Sequence, residues 1–509
     1  MRESGILCPV SSLSSKYGIG CFSKEAYEFV DFLAESGQSY WQVLPFGPTG
    51  YGDSPYQSFS AFAGNPYFID PETLVKDGLL HENEVRDFHF GSDPERVDYG
   101  ALYNSRFVLL ELAFQRFVNS PDEDYEEFKS KHAFWLEDYG LYMALKAANA
   151  GKAWTDWDDD IKKRDPKALA AARLEYSDTI EFYCFQQYEF FKQWAKLRKY
   201  ANDLGVKIIG DIAFYTSADS ADTWANPEIF LMDEDCLPTK VAGCPPDAFS
   251  ADGQLWGNPI YNWKYLKKTK YEWWIRRIAN TFELVDTLRV DHFRAFDEYY
   301  EIPYGDETAK NGKWVKGPGL GLFREMKKQL GELHIIAEDL GYITPSVRKL
   351  LKDSGFPGMK VLQFAFDSRE ESDYLPYNYE HNCVVYTGTH DNETTRGWIE
   401  SIPDADRDFA RRYIGSIFTD YGQFTWDFIR TAQASVADLC IVPIQDYLVK
   451  DNSARINHPS TTGTNWQWRM RPNELSKELS KSIFNMTKLY GRLPKKKEPE
   501  AEKTAEKEA

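Results

Sequence analysis

The sequence predicts an α/β protein built as a (β/α)8 TIM barrel with inserted, mostly helical subdomains. Three observations carry this reading. Eight short apolar runs recur along the chain, amphipathic helical stretches lie between most of them, and three of the runs end on a carboxylate. Strand and helix alternating eight times over is the pattern of such a barrel. An acid at the end of a barrel strand faces the rim where this fold places its chemistry.

The runs fall at 5–10, 40–45, 206–212, 288–293, 334–340, 359–366, 383–389 and 439–444, each bounded by turn residues. Stretch 22–36 is amphipathic and stops at Gly37, a natural residue just past a helix end. Thr344 before Pro345 reads as an N-cap with proline at the first helical position, and that helix ends near Gly355. Stretches 267–287, 321–333 and 404–437, the last broken around Gly422, supply further helices.

One spacing departs from the rhythm. Runs two and three are about 160 residues apart, far beyond an ordinary strand-to-helix connection. The interval holds long helical patterns at 99–119, 125–150 and 172–204. It is read as a helical insertion over 65–204, with 1–64 starting the barrel (strands one and two) and 205–493 completing it. A smaller insertion at 224–263 is rich in Pro, Gly and Asp. Residues 494–509 contain only Lys, Glu, Ala, Pro and Thr, which predicts a disordered tail.

A chain of 509 residues with 42% hydrophobic content has ample material for a large core. Its net charge of −19 argues against broad affinity for nucleic acid or anionic membrane. There is no basic N-terminal region followed by an apolar stretch, and no segment of transmembrane length. Seven scattered cysteines form no CxxC pair, and several sit inside apolar runs, which suits buried thiols in a reducing compartment. A cytoplasmic protein without nucleic-acid or membrane partners is expected. Most of the 15 Trp, 31 Tyr and 33 Phe fill the core. Those in polar loops, at 51–56 and 253–259, offer flat faces suited to the apolar C–H faces of sugar rings.

The three acids are Asp291, Glu338 and Asp391. Arg289 lies two residues before Asp291 and so points to the same side of its strand, where its fixed charge would keep the carboxylate ionised as a nucleophile requires. A structural Arg–Asp pair is the plainer alternative. Glu338 follows Ile335-Ile336-Ala337, an apolar setting that raises a carboxyl pKa and suits a proton donor. It also suits a helix cap, a job Asp339 can do as well. Asp391 stands between His390 and Asn392; a metal site is the rival there, yet no third ligand at suitable spacing is evident. Three acids converging on one rim is what acid-assisted cleavage of a glycosidic bond needs.

At this point the sequence resembles a known family. The segments are Tyr17-Gly18-Ile19-Gly20, Tyr40-Trp41-Gln42-Val43-Leu44-Pro45, Ser54-Pro55-Tyr56-Gln57-Ser58 and Asp219-Ser220-Ala221-Asp222. To these add Gly253-Gln254-Leu255-Trp256-Gly257-Asn258-Pro259, Arg289-Val290-Asp291-His292-Phe293-Arg294, Ala337-Glu338-Asp339-Leu340-Gly341 and Thr389-His390-Asp391-Asn392. Together, from about Gly5 to Arg469, they look like those of 4-α-glucanotransferases, the amylomaltase or disproportionating enzymes of the α-amylase clan.

The resemblance implies Asp291 as nucleophile, Glu338 as acid/base and Asp391 as the residue that helps distort the sugar and stabilise the transition state. Arg289 and His390 would hold the donor sugar and tune the nucleophile. Asp247, Gln254 and Trp256 would belong to a lid loop over the acceptor side, with Tyr56 on the substrate path and Asp211 among the substrate-binding residues. Asn457 and the pair Gln445-Asp446 resemble further site segments. The sequence departs from the family at Ser460, where glycine is usual, at Ile212-Ala213 in place of Leu-Pro, and at Cys8, where histidine is common.

The implied reaction is a retaining double displacement on α-1,4-glucans and maltooligosaccharides, with glucose or a maltooligosaccharide as acceptor. It demands no cofactor or metal, and it predicts Asp291 and Glu338 carboxyls about 5–5.5 Å apart. A glucan hydrolase using the same acids and a catalytically silent glucan-binding protein are the alternatives.

Overall fold

Among the described residues there are twelve strands, eight of them in one parallel ring. They are β1 (Glu3–Leu7), β2 (Tyr40–Gln42), β3 (Lys207–Ile212), β4 (Lys240–Cys244), β5 (Gln254–Pro259) and β6 (Thr287–Val290). The second half contributes β7 (Glu298–Pro303), β8 (Lys313–Lys316), β9 (Ile335–Ala337), β10 (Gly358–Val361), β11 (Cys383–Tyr386) and β12 (Leu439–Pro443). The structure, a computed structural model, describes residues 2–50, 52–246, 250–417 and 420–495.

The ring runs β10-β11-β12-β1-β2-β3-β6-β9 with every pair parallel. It closes between β9 and β10, where Ala337 N–H donates to Pro357 O at 2.9 Å and Met359 N–H to Asp339 Oδ1 at 2.7 Å. This is the TIM barrel that the alternating pattern predicts. Because side chains alternate along a strand, each barrel strand splits between two cores. Leu7, Ile209, Ile336, Met359, Val361, Val384, Tyr386 and Ile441 pack together inside. Their neighbours Ile6, Ile208, Leu288, Ile335, Val385 and Cys440 join the larger core beneath the helices. At Gly5 a side chain would meet Tyr40 Cβ at 2.6 Å and Ile441 Cδ1 at 2.8 Å, so only hydrogen fits there. A polar pair lies among them, Tyr386 donating to Gln42 Oε1 at 2.9 Å.

All eight expected runs contain a strand, but every strand except β3, which reaches Ile212, stops short of the end of its run. The run at 359–366 becomes a strand only to Val361 and then a 3-10 turn at Leu362–Ala365; the run at 5–10 ends at Leu7, three residues before the turn Val10–Ser12. Beyond the paired stretch the chain bends out to form the rim, and apolar composition alone does not mark that point.

The helix at Pro345–Ser354 starts and stops as its sequence implies: Thr344 Oγ1 accepts from Val347 N–H, and Gly355 is left-handed at φ 76°. Two helical expectations need correction. The break in 404–437 falls at Gly415 (φ 74°), giving Asp404–Ile414 and Tyr421–Ala434, so Gly422 lies inside the second helix. Stretch 267–287 is divided by Tyr271 (φ 59°) into Trp263–Lys268 and Glu272–Leu284. Between β2 and β3 the long helices are Tyr99–Phe117, Tyr125–Ala148 and Ser177–Asp203. The last is tied to helix Glu272–Leu284 by Trp194 Nε1 donating to Leu284 O at 2.8 Å.

The remaining strands form an antiparallel sheet in the order β5-β4-β7-β8, which the sequence reading missed. Its edge strand β8 reads Lys-Trp-Val-Lys, too short and too polar to register as an apolar run. The sheet unites residues after β3 with residues after β6 and hangs over one side of the barrel mouth. Among the described residues no helix is long and apolar enough to cross a membrane. The tail expected to be disordered lies, from 496 on, outside the described residues.

Candidate active site

The site starts from three adjacent strands, β3, β6 and β9. Asp211 on β3 is level with Arg289 on β6, which is level with Ile336 on β9. The inward phase set by Ile209 and Ile336 carries on to Asp211 and Glu338 at the rim. Arg289 Nη1 binds both oxygens of Asp211, at 2.8 and 2.6 Å, while Nη2 reaches Asp291 Oδ1 at 3.0 Å. One guanidinium therefore holds two carboxylates. Arg289 is 3% exposed and Asp211 4%, so their pairing takes place in a low-dielectric interior. Burial opposes the charge on Arg289, but Asp211 and Asp291 outweigh it and raise its pKa well above the usual value. Burial pushes the Asp211 carboxyl up to about 7, with Arg289 pulling the other way.

Glu338 is oriented by backbone. Its Oε2 accepts from His292 N–H and its Oε1 from Leu340 N–H, both at 2.7 Å. Burial first, and the Asp291 charge second, push its carboxyl up to about 8, while Arg289 and the two N–H donors pull it down. A carboxyl with that value carries its proton at neutral pH, as a general acid must. His292, the donor next to Asp291, sits in the left-handed region at φ 51°, and burial lowers its ring to about 4.

Across the mouth, Asp391 is gripped by Asn457, whose Nδ2 donates to Oδ1 at 2.6 Å, and Arg455 Nη2 donates to Asp391 O at 2.7 Å. His390 Nε2 is 3.4 Å from Asp391 Oδ2. Burial lowers the pKa of His390, against the pull of Asp391, which favours the neutral ring. Tyr56 lies flat on that ring, centroids 5.2 Å apart and planes 16° apart, and its hydroxyl donates to Asp211 Oδ2 at 2.8 Å. On the other flank Trp256 on β5 donates to Gln254 Oε1 at 3.0 Å and meets the His292 ring edge-on at 5.0 Å.

Direct contacts thus link Tyr56, Asp211, Arg289, Asp291, Glu338, His390, Asp391, Asn457, Gln254 and Trp256 around one mouth. Asp247, also singled out from the sequence, lies outside the described residues. Ser460 takes φ 64°, the left-handed region that the glycine usual there adopts without strain. His292, which acts through its own backbone N–H, and Arg455, whose guanidinium reaches a backbone oxygen 64 residues away, were not found from the sequence, because neither contact leaves a local pattern. The sequence reading also passed over Trp466, 75 residues beyond Asp391 and outside every apolar run. Among the described residues no three His, Cys, Asp or Glu side chains are grouped to hold a metal ion.

A family model described as 4-alpha-glucanotransferase matches residues 8–476. The chain belongs to the 4-α-glucanotransferase family. A 4-alpha-glucanotransferase of Clostridium butyricum is 48% identical over 485 residues, covering 95% of this chain and 99% of that protein. One from Thermus thermophilus is 45% identical over 501 residues, covering 97% and 99%. Among solved structures, an amylomaltase from Streptococcus agalactiae in complex with acarbose superposes with a TM-score of 0.94 at 43% identity, covering 97% of this chain and all of that one (100%). An amylomaltase from Corynebacterium glutamicum shares the fold at a TM-score of 0.72 and 18% identity, covering 97% of this chain and 74% of that one.

Proposed function

We propose that the protein transfers α-1,4-glucan segments from a donor to the 4-OH of glucose or a maltooligosaccharide by a retaining double displacement. The observation that carries this reading is the division of labour between two neighbouring carboxyls. Asp291 is bound by the permanently charged Arg289 at 3.0 Å, while Glu338 is pushed up to about 8 and holds a proton.

In the first step Asp291 Oδ attacks the anomeric carbon. The glycosidic C–O bond breaks and its oxygen takes the Glu338 proton, leaving a β-linked glucosyl ester and a shortened glucan. In the second step the Glu338 carboxylate removes the proton from an acceptor 4-OH. That oxygen attacks the same carbon, the ester C–O bond breaks, and the α linkage returns with Asp291 free again. Asp391, fixed by Asn457, is suited to bind sugar hydroxyls and favour the distorted ring. His390 and Arg289 are suited to hold the donor, with Tyr56 on its path and Asp211 completing the clamp. Gln254 and Trp256, with Asp247 on the same loop, are read as the acceptor-side lid that keeps water from the ester. The buried thiols Cys8, Cys21, Cys184, Cys383 and Cys440 suit a reducing compartment, and we place the protein in the cytoplasm on that basis.

The test is incubation with maltotriose. Glucose together with maltopentaose and longer chains, without a net gain in reducing ends, is the expected outcome. A rise in reducing ends with smaller sugars accumulating would make it a hydrolase, and an unchanged pool would make it a binding protein.

A further inference from the structure

Trp466 combines three features that packing alone does not require. It is 8% exposed, its φ is 64°, and its ring faces both Tyr56 (5.9 Å, 45°) and His390 (6.0 Å, 38°). A bulky aromatic in the left-handed region is a backbone outlier, held only where the surroundings over-determine it. Here they do. Trp466 N–H donates to Ile456 O at 2.7 Å, and Trp466 O accepts from Tyr99 hydroxyl at 2.8 Å. The neighbouring Asn465 closes the intervening loop: its Oδ1 accepts from His458 N–H at 3.0 Å and its Nδ2 donates to Thr461 O at 2.9 Å.

The residue inside that closed loop that matters is Asn457, which grips Asp391 and donates its own N–H to His390 O at 3.1 Å. Trp466 therefore touches both halves of the donor side. Its backbone fixes the end of the loop that delivers Asn457 to Asp391. Its ring backs the Tyr56–His390 stack from the side. A left-handed turn at this point is what lets one residue do both, since the chain must leave Ile456 and still turn the indole back toward the mouth.

We propose that Trp466 is a positioning residue for glucosyl transfer, holding the Tyr56–His390 stack and the Asn457–Asp391 grip in register with each other. Its bonds run to Ile456 and Tyr99 and its ring meets Tyr56 and His390 rather than the three carboxyls, so the consequence of losing it is misplacement of the donor sugar. This rests on the transfer reading above. A displacement of about 1 Å in such groups costs on the order of a hundredfold in rate.

The experiment compares the parent with Trp466→Phe, Trp466→Leu and Tyr99→Phe on maltotriose, measuring kcat, KM and thermal midpoint. The parent's own turnover comes first, because its failure would sink the transfer reading and not this inference. Trp466→Leu is expected to lower kcat by about tenfold to a hundredfold with KM changed far less. Trp466→Phe, which keeps a ring, is expected to recover most of kcat. A purely structural role predicts the reverse: kcat per folded molecule unchanged in Trp466→Leu, with loss only in thermal midpoint. If Trp466→Leu yields no folded protein, Tyr99→Phe decides, since it frees only the Trp466 carbonyl. A few-fold fall in its kcat supports the proposal, and a parental kcat overturns it.

Discussion

The Glu338 carboxyl accepts from the backbone N–H of His292 at 2.7 Å, so the candidate proton donor is anchored to the residue that follows the candidate nucleophile. β6 and β9 are therefore fixed to each other at the rim by this bond and by Phe293 N–H donating to Glu338 O at 3.0 Å, as well as by the ladder below. His292 reaches this position only by adopting φ 51°. The strain is local, and it aims an N–H where an ordinary strand would not.

That geometry makes substitutions at His292 depend on backbone tolerance. Asn visits the left-handed region readily and a β-branched residue does not, at a difference of about 1–2 kcal/mol. His292→Val is expected to be less stable than His292→Asn by about that amount in urea unfolding, with the lower kcat of the two. Equal stability would mean the turn relaxes freely and does not brace Glu338.

The pH profile follows from Glu338. Its carboxyl is pushed up to about 8, so the protonated form is present below that value and lost above it. The alkaline limb of kcat/KM on maltooligosaccharides is expected near pH 8, reporting the free enzyme. With α-glucosyl fluoride as donor the leaving group needs no proton, and the first step should lose that limb. A limb that persists with the fluoride would assign the titration to another group. The same raised value links to stability. The contribution is complete below the unfolded carboxyl's value of about 4.3 and is lost as pH rises through about 8. Glu338→Gln should flatten the fall in thermal midpoint over that window.

Glu338→Gln should also lower kcat on maltotriose by about 10²–10⁴-fold, the usual worth of a positioned proton donor. Glucan affinity measured by calorimetry should stay within a few-fold of the parent. A comparable loss of affinity would mean the carboxyl serves binding rather than proton transfer.

Arg289 carries the electrostatics of the clamp. Removing it by Arg289→Met leaves Asp211 buried beside Asp291 without a cation, and breaking a buried pair in this way costs about 3–5 kcal/mol. Because Asp211 then escapes by taking up a proton, the loss should be larger at pH 8 than at pH 5. Adding Asp211→Asn to Arg289→Met should restore most of the stability and none of the activity. Urea unfolding of the single and double variants checks this; a double variant no more stable than the single would show that the charge on Asp211 is not what the arginine neutralises.

Much of this was legible in the sequence because strand phase is a period-two signal. Arg289 and Asp291 are two apart and share a face, and Ile336 and Glu338 repeat the pattern on the next strand. The grouping of Asp391 with Asn457 was reached only through resemblance, since nothing local relates residues 66 positions apart. Chain direction at the rim was not legible at all. His292, Trp466 and Tyr271 turn left-handed without the glycine that announces such turns, because surrounding contacts impose the conformation. The antiparallel sheet escaped for a related reason: β8 and β5 are half-exposed, so their residues alternate too weakly to read as strands.

In the proposed mechanism Asp291 forms a covalent bond to the sugar while Glu338 manages the proton. The measurement that tests it most directly is trapping of the intermediate in Glu338→Gln with α-glucosyl fluoride, which can form the ester without an acid but deglycosylates slowly without a base. Intact mass followed by peptide mapping should find one added glucosyl unit on the peptide containing Asp291. A label on another residue, or none alongside products of inverted configuration by NMR, would contradict the account.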